Sequence, residues 1–257
     1  MNKRTIGILA AILFAATFTL SGVALAAPAK TFTIGVEDLD YYPVYAIQNG
    51  NYTGYARELL DAFAKDRGYR FEYKPLPVNR LFASFFQGQL DFKFPDNPYW
   101  QKEQRAGKNI AYSTAMVNYI DGALVRPEMG DASADKIKTL VTVAGFTPWA
   151  WMDLIKSKQV TLRENANFTA LAQQVISRRA DAAYASVAVV NYQLEHVLKT
   201  PGALVYNSKL PHSKDSYFLS TLDYPEMIAE FDAWQKSKQD FVRKLKKKYA
   251  VENGITE

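Results

Sequence analysis

Charged, amide and aromatic residues are grouped directly after a short apolar run of the chain. The run Leu90 to Phe94 has the composition of a buried strand, and the segment Phe94-Pro95-Asp96-Asn97-Pro98-Tyr99-Trp100 follows it. Here Asp96 would neutralise a cation, and the aromatic pair would stack on an apolar or cationic group. The alternative is a turn in which Asp96 and Asn97 cap the local backbone while the aromatic pair packs in the core.

Tyrosines surround a proline in the loop that follows the first predicted strand. Tyr41, Tyr42 and Tyr45 lie on both sides of Pro43. Tyrosine side chains give a binding cleft a large contact area at small entropic cost, so we expect Tyr41 and Tyr42 to contact a ligand. In the alternative interpretation, these rings cover the end of a helix.

Two places are candidates for binding an anionic group. Arg80 precedes Leu81 at the predicted start of a helix, where its guanidinium would clamp a carboxylate unless it is a surface arginine. The segment Gly145-Phe146-Thr147-Pro148 is expected to open another helix with Thr147 as its N-cap, and its backbone N–H groups would face an anion. Pro148 has no N–H group, which reduces the number of donors in that turn.

The residue types needed for several other chemistries are missing or badly spaced. The chain has no cysteine, and its two histidines, His196 and His212, form no zinc-binding spacing. It contains neither a G-x-S-x-G nucleophile motif nor a glycine-rich phosphate loop after a predicted strand. We therefore predict no metal, no cofactor and no catalytic residue.

The basic character of the chain does not indicate a nucleic-acid partner. Lysine and arginine number 31 against 26 acidic residues, which gives a formal charge of +5. The most concentrated basic run, Lys244 to Lys248, lies at the end of a predicted helix, where cations complement the helix dipole. We predict a monomeric protein with a small-molecule ligand.

The first residues have the pattern of a secretory signal peptide. Lys3 and Arg4 precede an apolar run from Ile6 to Leu20, and Ala24-Leu25-Ala26 supplies a small-residue cleavage site. The apolar run is short for a membrane span, which needs roughly 20 residues. Without a cysteine the chain has no site for lipid attachment. We predict cleavage after Ala26 and a freely diffusing protein in the periplasm.

The pattern of elements predicts two similar lobes. In the first, strands at Thr31 to Val36, Phe71 to Tyr73 and Leu90 to Phe94 alternate with helices that stop at Gly68 and Gly88. This β-α-β-α-β order predicts a parallel sheet with its ligand crevice beyond the carboxyl ends of the strands.

The same order restarts after residue 135. Strands are predicted at Leu140 to Val143 and Asp181 to Ala185, with helices capped by Asn167 and Ser186. One long helix that begins after Pro225 is expected to pack back onto lobe 1. The chain would then cross between the lobes twice, near 116–126 and 204–218, and form a hinge. The predicted bounds are 1–26 for the signal peptide, 27–120 for lobe 1, 121–205 for lobe 2 and 206–257 for the return to lobe 1.

The order of elements and four short motifs resemble the bacterial extracellular solute-binding proteins of family 3. The motifs stand at Gly54 to Leu59, at Gln87 to Asp91, at Ile110 to Ser113 and at Arg178 to Ala182. The resemblance covers nearly all of the mature chain. It implies the two-lobed type II periplasmic-binding-protein fold, an α/β architecture with two doubly wound sheets joined by a two-strand hinge.

The resemblance also implies a function and site residues. Members of the family bind amino acids through an arginine and an acidic residue, and Arg105 falls near the position of that arginine. Ser186 stands where the second lobe of the family normally offers an aspartate. The resemblance implies delivery of the ligand to a membrane permease of the ATP-driven (ABC) kind, or signalling through a sensor. The alternative is an enzyme similar to the periplasmic cyclohexadienyl dehydratases, for which Glu37, Asp38 and Asp96 are the carboxylates nearest the predicted cleft.

Together these expectations describe a protein that closes over a small polar ligand, either amino-acid-like or an amine or organic acid. Lobe 1 would bind first and lobe 2 would then close over the ligand. The predicted ligand contacts are Tyr41, Tyr42, Arg80, Asp96, Asn97, Tyr99, Trp100, Arg105, Phe146, Thr147 and Ser186.

Overall fold

The computed structural model describes residues 29–253 and residue 255, so the predicted signal peptide lies outside the described residues. The strands are β1 (Lys30–Glu37), β2 (Ala46–Gln48), β3 (Asn51–Thr53), β4 (Tyr69–Leu76), β5 (Phe92–Asp96), β6 (Ala111–Tyr112), β7 (Val117–Val125), β8 (Thr139–Val143), β9 (Thr161–Asn165), β10 (Ala182–Ser186), β11 (Val205–Tyr206) and β12 (Ser213–Thr221). The helices are α1 (Tyr55–Arg67), α2 (Val78–Phe86), α3 (Lys102–Arg105), α4 (Met152–Lys156), α5 (Phe168–Ile176), α6 (Val187–Tyr192), α7 (Pro225–Ser237) and α8 (Gln239–Tyr249).

Lobe 1 is built around three parallel strands. β1 lies between β4 and β5 and pairs with both in parallel, as the β-α-β order predicts. Between β1 and β4, helix α1 buries Leu59, Leu60 and Phe63. The helix ends at Gly68, whose φ of 71° is the left-handed conformation that closes a helix, so the predicted stop is confirmed.

Lobe 2 repeats this arrangement with β8 between β9 and β10, again in parallel. Helix α5 begins after the predicted cap Asn167, whose Oδ1 accepts a hydrogen bond of 2.9 Å from the backbone N of Ala170.

The predicted cap at Thr147 is wrong. Pro148 adopts φ −78° and ψ 71°, an inverse γ-turn in which the N–H of Trp149 donates to the carbonyl of Thr147. The helical segment therefore begins only after Pro148, as a 3-10 turn at Trp149–Trp151 that leads into α4.

Two strands run through both lobes and form the hinge. β7 and β12 pair in antiparallel fashion from Val117 to Asp121 and from Ser213 to Tyr217. β12 then pairs with β5 in lobe 1, while β7 continues beside β10 in lobe 2. This arrangement confirms the two-lobed fold with a two-strand hinge. The second crossing, from Ser213 to Tyr217, lies within the expected range 204–218, and β11 before it pairs with β7 in lobe 2.

The C-terminal part contains two helices where the sequence pattern predicts one. Helices α7 and α8 are separated at Lys238, whose φ of −111° and ψ of 27° depart from helical values. The side chain of Ser237 donates to the carbonyl of Trp234 at 2.8 Å, a local bond that competes with the regular helix. As expected, α7 packs on lobe 1, where Phe231 and Trp234 make edge contacts with the ring of Phe63 in α1. Within residues 29–253, we find no helix with the length and apolarity to span a membrane.

Candidate ligand-binding site

A partly enclosed cavity of about 30 Å³ lies between the two lobes. Lobe 1 contributes Glu37 at the end of β1 and Pro95 near the end of β5, and lobe 2 contributes Ala185 of β10 and Gly145 after β8. The cavity therefore occupies the edge at which the carboxyl ends of strands from both lobes meet, the usual ligand position in open α/β sheets. Its wall comprises Glu37, Tyr41, Tyr45, Val78, Phe82, Pro95, Trp100, Asp121, Gly145, Phe146, Thr147, Tyr184, Ala185 and Tyr217.

The two lobes are in direct contact around this cavity. The ring of Tyr41 from lobe 1 lies 6.0 Å from the ring of Phe146 and 5.2 Å from that of Phe168, both in lobe 2. The side-chain amide of Gln193 donates to the carbonyl of Asp40 at 3.2 Å across the same boundary. The lobes are therefore packed together, with space for about two water molecules in the cavity, so a larger ligand has to enter while the lobes are apart and enlarge the cavity when they close.

Tyr41 has the central position in the aromatic wall. Its ring stacks on Tyr45 at 4.9 Å, and its hydroxyl lies 2.6 Å from the hydroxyl of Tyr217 on the hinge strand β12. Tyr217 stacks in turn on Tyr119 of β7 at 4.3 Å. A continuous series of tyrosines thus connects the loop after β1 to both crossing strands.

Asp96 lies behind the wall in a network of buried ion pairs. Its carboxylate accepts hydrogen bonds from both Nη atoms of Arg105, from Lys93 Nζ at 3.1 Å and from Ser220 Oγ at 2.6 Å. Burial opposes ionisation of Asp96, but the charges of Lys93 and Arg105 outweigh it and hold its pKa below the usual value. Asp96 is therefore an ionised carboxylate whose charge is already neutralised.

Glu37 and Asp121 are the two carboxylates in the cavity wall, and both are held towards their protonated forms. Burial raises the pKa of Glu37 to about 7, partly offset by the charge of Lys93 and by the hydrogen bond that Tyr45 donates to Oε2. Burial, followed by repulsion from Asp215 and Glu37, raises the pKa of Asp121 to about 8. The Oδ1 atom of Asp121 is buried and has no hydrogen-bond partner among the described residues.

The structure brings four of the predicted contacts into the cavity wall: Tyr41, Trp100, Phe146 and Thr147. The other seven lie outside it: Tyr42, Arg80, Asp96, Asn97, Tyr99, Arg105 and Ser186. Tyr42 packs on Tyr192 with 4.7 Å between ring centroids, Arg80 and Tyr99 are exposed, and Ser186 is buried at the end of β10.

Asn97 and Arg105 make contacts within the protein. Asn97 Oδ1 accepts a hydrogen bond from the backbone N of Tyr99 at 2.9 Å, and its amide donates to the carbonyl of Ser216. Asn97 therefore caps the local backbone as the alternative interpretation describes, whereas Asp96 binds side chains and Tyr99 is exposed instead of packing in the core. Arg105 donates to Tyr112 Oη at 2.6 Å and to the carbonyl of Trp100 at 2.5 Å, in addition to Asp96.

Two of the three backbone donors predicted for an anion, those of Gly145 and Phe146, are also in use. The N–H of Gly145 donates to Glu164 Oε1 at 3.0 Å, and the N–H of Phe146 donates to the carbonyl of Val143 at 3.0 Å. The carboxylate of Glu164, from the end of β9, therefore lies where this turn was expected to bind an anionic ligand.

Several residues of the cavity wall are not among the ligand contacts predicted from the sequence. Asp121 is the most informative of them, because it stands among apolar residues in the strand Val117–Val125. An acidic residue within an apolar strand can be recognised in the sequence as a candidate for a functional site. Phe82, Tyr184 and Tyr217 offer no such signal, since aromatic residues in strands and helices usually pack in the core.

A larger open groove of about 960 Å³ lies along α7 and α8. Its wall includes the exposed Lys236, Gln239 and Lys247. We assign the ligand site to the smaller cavity, because that cavity is enclosed by both lobes and contains buried titratable groups. No group of three or more potential metal ligands occurs in the part of the chain that the structure describes.

Comparisons with known proteins agree on the fold. The sequence profile of the bacterial extracellular solute-binding proteins, family 3, matches residues 32–251. No curated protein matches the chain. A substrate-binding protein of an ABC uptake transporter from Streptococcus pneumoniae, solved with bound histidine, superposes with a TM-score of 0.68 at 16% identity, covering 85% of this chain and 92% of the other.

Two further structures show the range of proteins built on this fold. A histidine kinase sensor domain with similarity to periplasmic binding proteins gives a TM-score of 0.69 at 18% identity, covering 86% of this chain and 96% of the other. The ancestral amino acid-binding protein AncCDT-1, a precursor of cyclohexadienyl dehydratase, gives a TM-score of 0.65 at 21% identity, covering 85% and 94%. The profile match over most of the chain, together with the two lobes and their hinge, shows that this protein belongs to the bacterial extracellular solute-binding proteins, family 3.

Proposed function

We propose that the chain is a periplasmic solute-binding protein that captures a small polar ligand by lobe closure and delivers it to an ABC-type permease. The observation that carries the proposal is the cavity wall, which contains residues of both lobes and of both hinge strands. A ligand that contacts both lobes binds the closed form more tightly than the open form, and this difference in affinity drives closure. Family membership supports the same class of function.

A ligand screen with two readouts tests this proposal. Amino acids, amines and organic acids are added to the purified mature chain, and unfolding is followed by differential scanning fluorimetry. A ligand at about a hundredfold above its Kd raises the free energy of unfolding by about 2.7 kcal/mol. Small-angle scattering then measures whether the same ligand increases the closed population. Binding without any shift towards closure would contradict the proposed mechanism.

Delivery and sensing differ in the partner that recognises the closed form, which is a permease in one case and a sensor in the other. We infer delivery to a permease because the chain belongs to a family of extracellular solute-binding proteins and shares its fold with a substrate-binding protein of an ABC uptake transporter. Uptake of the labelled ligand by cells with and without the gene tests this inference. Loss of high-affinity uptake is the expected result, whereas unchanged uptake with a lost transcriptional response would assign the protein to a sensor. Fractionation of the same cells tests the predicted periplasmic location and the cleavage after Ala26.

An enzyme on the same scaffold is the second candidate, because one observation favours it. Glu37 is buried in the cavity wall with a pKa of about 7, which suits a general acid at neutral pH. A prephenate-like substrate carries two carboxylates, however, and the described residues that form the cavity wall include no lysine or arginine to pair with them. Incubation with prephenate, with phenylpyruvate as the measured product, distinguishes turnover from simple binding.

A further inference from the structure

We propose that the ligand of this cavity is an organic cation without a carboxylate, such as an amine or a guanidinium compound, and not an α-amino acid. This inference rests on the proposed function, because it concerns the ligand of the same site. It depends on three features of the structure: the charges in the cavity wall, the occupation of the anion-binding groups and the aromatic surfaces.

The charged residues of the cavity wall are Glu37 and Asp121, both acidic. Glu37 is 2% exposed, and its neighbour Lys93 is engaged with the carbonyl of Pro95 at 2.5 Å and with Asp96 at 3.1 Å. Part of Asp121 reaches solvent, but its Oδ1 is buried and lacks a hydrogen-bond partner among the described residues. A buried carboxylate oxygen without a partner is unfavourable, and a ligand ammonium would supply the missing donor.

A bound cation would also change the protonation of the two wall carboxylates. Burial holds Glu37 and Asp121 towards their protonated forms in the protein without ligand. An ammonium or guanidinium beside them favours the ionised carboxylates, because a nearby opposite charge stabilises the charged form. The carboxylates would then be paired with the ligand, which is the condition under which buried charges are tolerated.

Most of the groups that would bind a ligand carboxylate already have partners, and the N–H of Thr147 is the predicted donor for which the described part of the chain shows none. Nε and both Nη atoms of Arg105 donate to Trp100, Tyr112 and Asp96. The N–H groups of Gly145 and Phe146 donate to Glu164 and Val143. Arg80 is exposed and lies outside the cavity wall. A carboxylate placed in the cavity would therefore face two acidic residues without a cation dedicated to it.

Aromatic surfaces complete a site for a cation. Rings of Tyr41, Tyr45, Phe82, Trp100, Phe146, Tyr184 and Tyr217 line the cavity. Electron-rich ring faces attract ammonium and guanidinium groups within about 6 Å, and most strongly where water is excluded. One of these rings already does so within the protein, since Lys93 Nζ lies 4.0 Å from the ring centroid of Phe82.

Pairs of compounds that differ by one carboxylate test the inference. Agmatine is compared with arginine, cadaverine with lysine, and tyramine with tyrosine, each by isothermal titration calorimetry on the mature chain. We expect at least one amine to bind with a Kd at least tenfold lower than that of its parent amino acid. Tighter or equal binding of the parent amino acids would overturn the inference and leave the proposed function intact. Binding of only anionic or neutral compounds in the wider screen would also overturn the inference and leave the proposed function intact. Failure of every compound to bind would overturn the proposed function, and with it the inference.

Variants that remove the charge but keep the shape of the side chain test whether Glu37 and Asp121 bind the amine. Glu37→Gln and Asp121→Asn should each weaken the best amine at least tenfold. Both variants remove a buried charge, so the apo protein should unfold at the same or a higher denaturant concentration than the wild type. Asp38→Asn is the matched control, because Asp38 is adjacent to Glu37 but is exposed and lies outside the wall. An equal loss of affinity in all three variants would show a general charge effect and would count against the assignment.

Discussion

The guanidinium of Arg105 and the carboxylate of Asp96 form a two-point ion pair inside lobe 1, with Nη2 to Oδ1 at 2.5 Å and Nη1 to Oδ2 at 3.2 Å. Asp96 is 0% exposed and Arg105 is 8% exposed. The resemblance to the family implies that Arg105 lies near an arginine that binds the ligand carboxylate, and in the structure Arg105 binds a carboxylate of the protein itself. Both side chains lie outside the cavity wall, so the pair stabilises lobe 1 from within.

Breaking this pair should destabilise the fold strongly. Asp96→Asn leaves the charges of Lys93 and Arg105 buried without their carboxylate, which we expect to lower the free energy of unfolding by roughly 3 to 5 kcal/mol. Urea denaturation monitored by tryptophan fluorescence measures the change. Glu72→Gln is the matched control, because the Arg70–Glu72 pair has side chains 67% and 53% exposed and should contribute less than about 1 kcal/mol. If Asp96→Asn instead keeps full stability and loses only ligand affinity, Asp96 is a ligand contact, as the sequence predicts.

The apo protein should lose stability as the pH rises through neutrality. Glu37 and Asp121 have pKa values of about 7 and about 8 in the folded chain, against ordinary values of 4.5 and 3.8. At a pH between the ordinary and the raised pKa values, the folded state keeps protons that the unfolded state has released. The free energy of unfolding therefore falls as the pH rises from about 4 to about 8, by a total on the order of 3 kcal/mol for Glu37. Midpoints of urea denaturation measured across this pH range test whether the stability falls as the pH rises.

The variants Glu37→Gln and Asp121→Asn should each flatten that pH profile. The groups that face these carboxylates are Lys93, Asp96 and Tyr45 around Glu37, and Asp215 and Glu37 around Asp121. Asp38→Asn should leave the profile unchanged, since Asp38 is exposed. A wild-type profile that rises between about pH 5 and pH 8 would show that neither carboxylate has the raised pKa.

The hydroxyl pair of Tyr41 and Tyr217 should show strong coupling in a double-mutant cycle. The two oxygens lie 2.6 Å apart, and both side chains are 2% exposed. Tyr41→Phe or Tyr217→Phe alone leaves one buried hydroxyl without its partner, at about 1 to 3 kcal/mol. The double variant removes both polar groups and should be less destabilised than the sum of the single variants. Additive losses in urea denaturation would mean that the two hydroxyls do not interact.

Substitution of Gly145 should oppose lobe closure. Gly145 has φ +86°, and a Cβ at this position would lie 3.0 Å from Asn79 Oδ1 and 3.1 Å from Val78 Cβ, both in lobe 1. Gly145→Ala should therefore increase the radius of gyration measured by small-angle scattering and weaken ligand binding. Gly68→Ala is the control, because Gly68 also has positive φ, at +71°, but a Cβ there meets nothing within 4 Å. Both variants should lose about 1 kcal/mol of stability from the backbone conformation. Equal radii for the two variants would contradict a steric role for this contact.

Helix and strand positions were largely predictable because they depend on local patterns. The Gly68 stop and the Asn167 cap are each decided by a few neighbouring residues, and both predictions agree with the structure. Errors occurred where a single bond or dihedral overrides the pattern. Pro148 delays the start of a helix through its inverse γ-turn, and the chain breaks at Lys238 within a continuous apolar stripe.

By itself, the sequence determined the two-lobed α/β fold, because hydrophobic periodicity and turn residues act over short distances along the chain. Only the tertiary structure decided which polar side chains face the cavity. Asp96 and Asp121 are both acidic residues on strands near the crevice, and no pattern along the chain distinguishes them. Arg105 and Lys93 neutralise Asp96, while Asp121 is repelled by Asp215 and has a buried Oδ1 without a hydrogen-bond partner among the described residues. The pairing of buried charges depends on residues far apart in the sequence, so the charge of the site becomes visible only once the chain is folded.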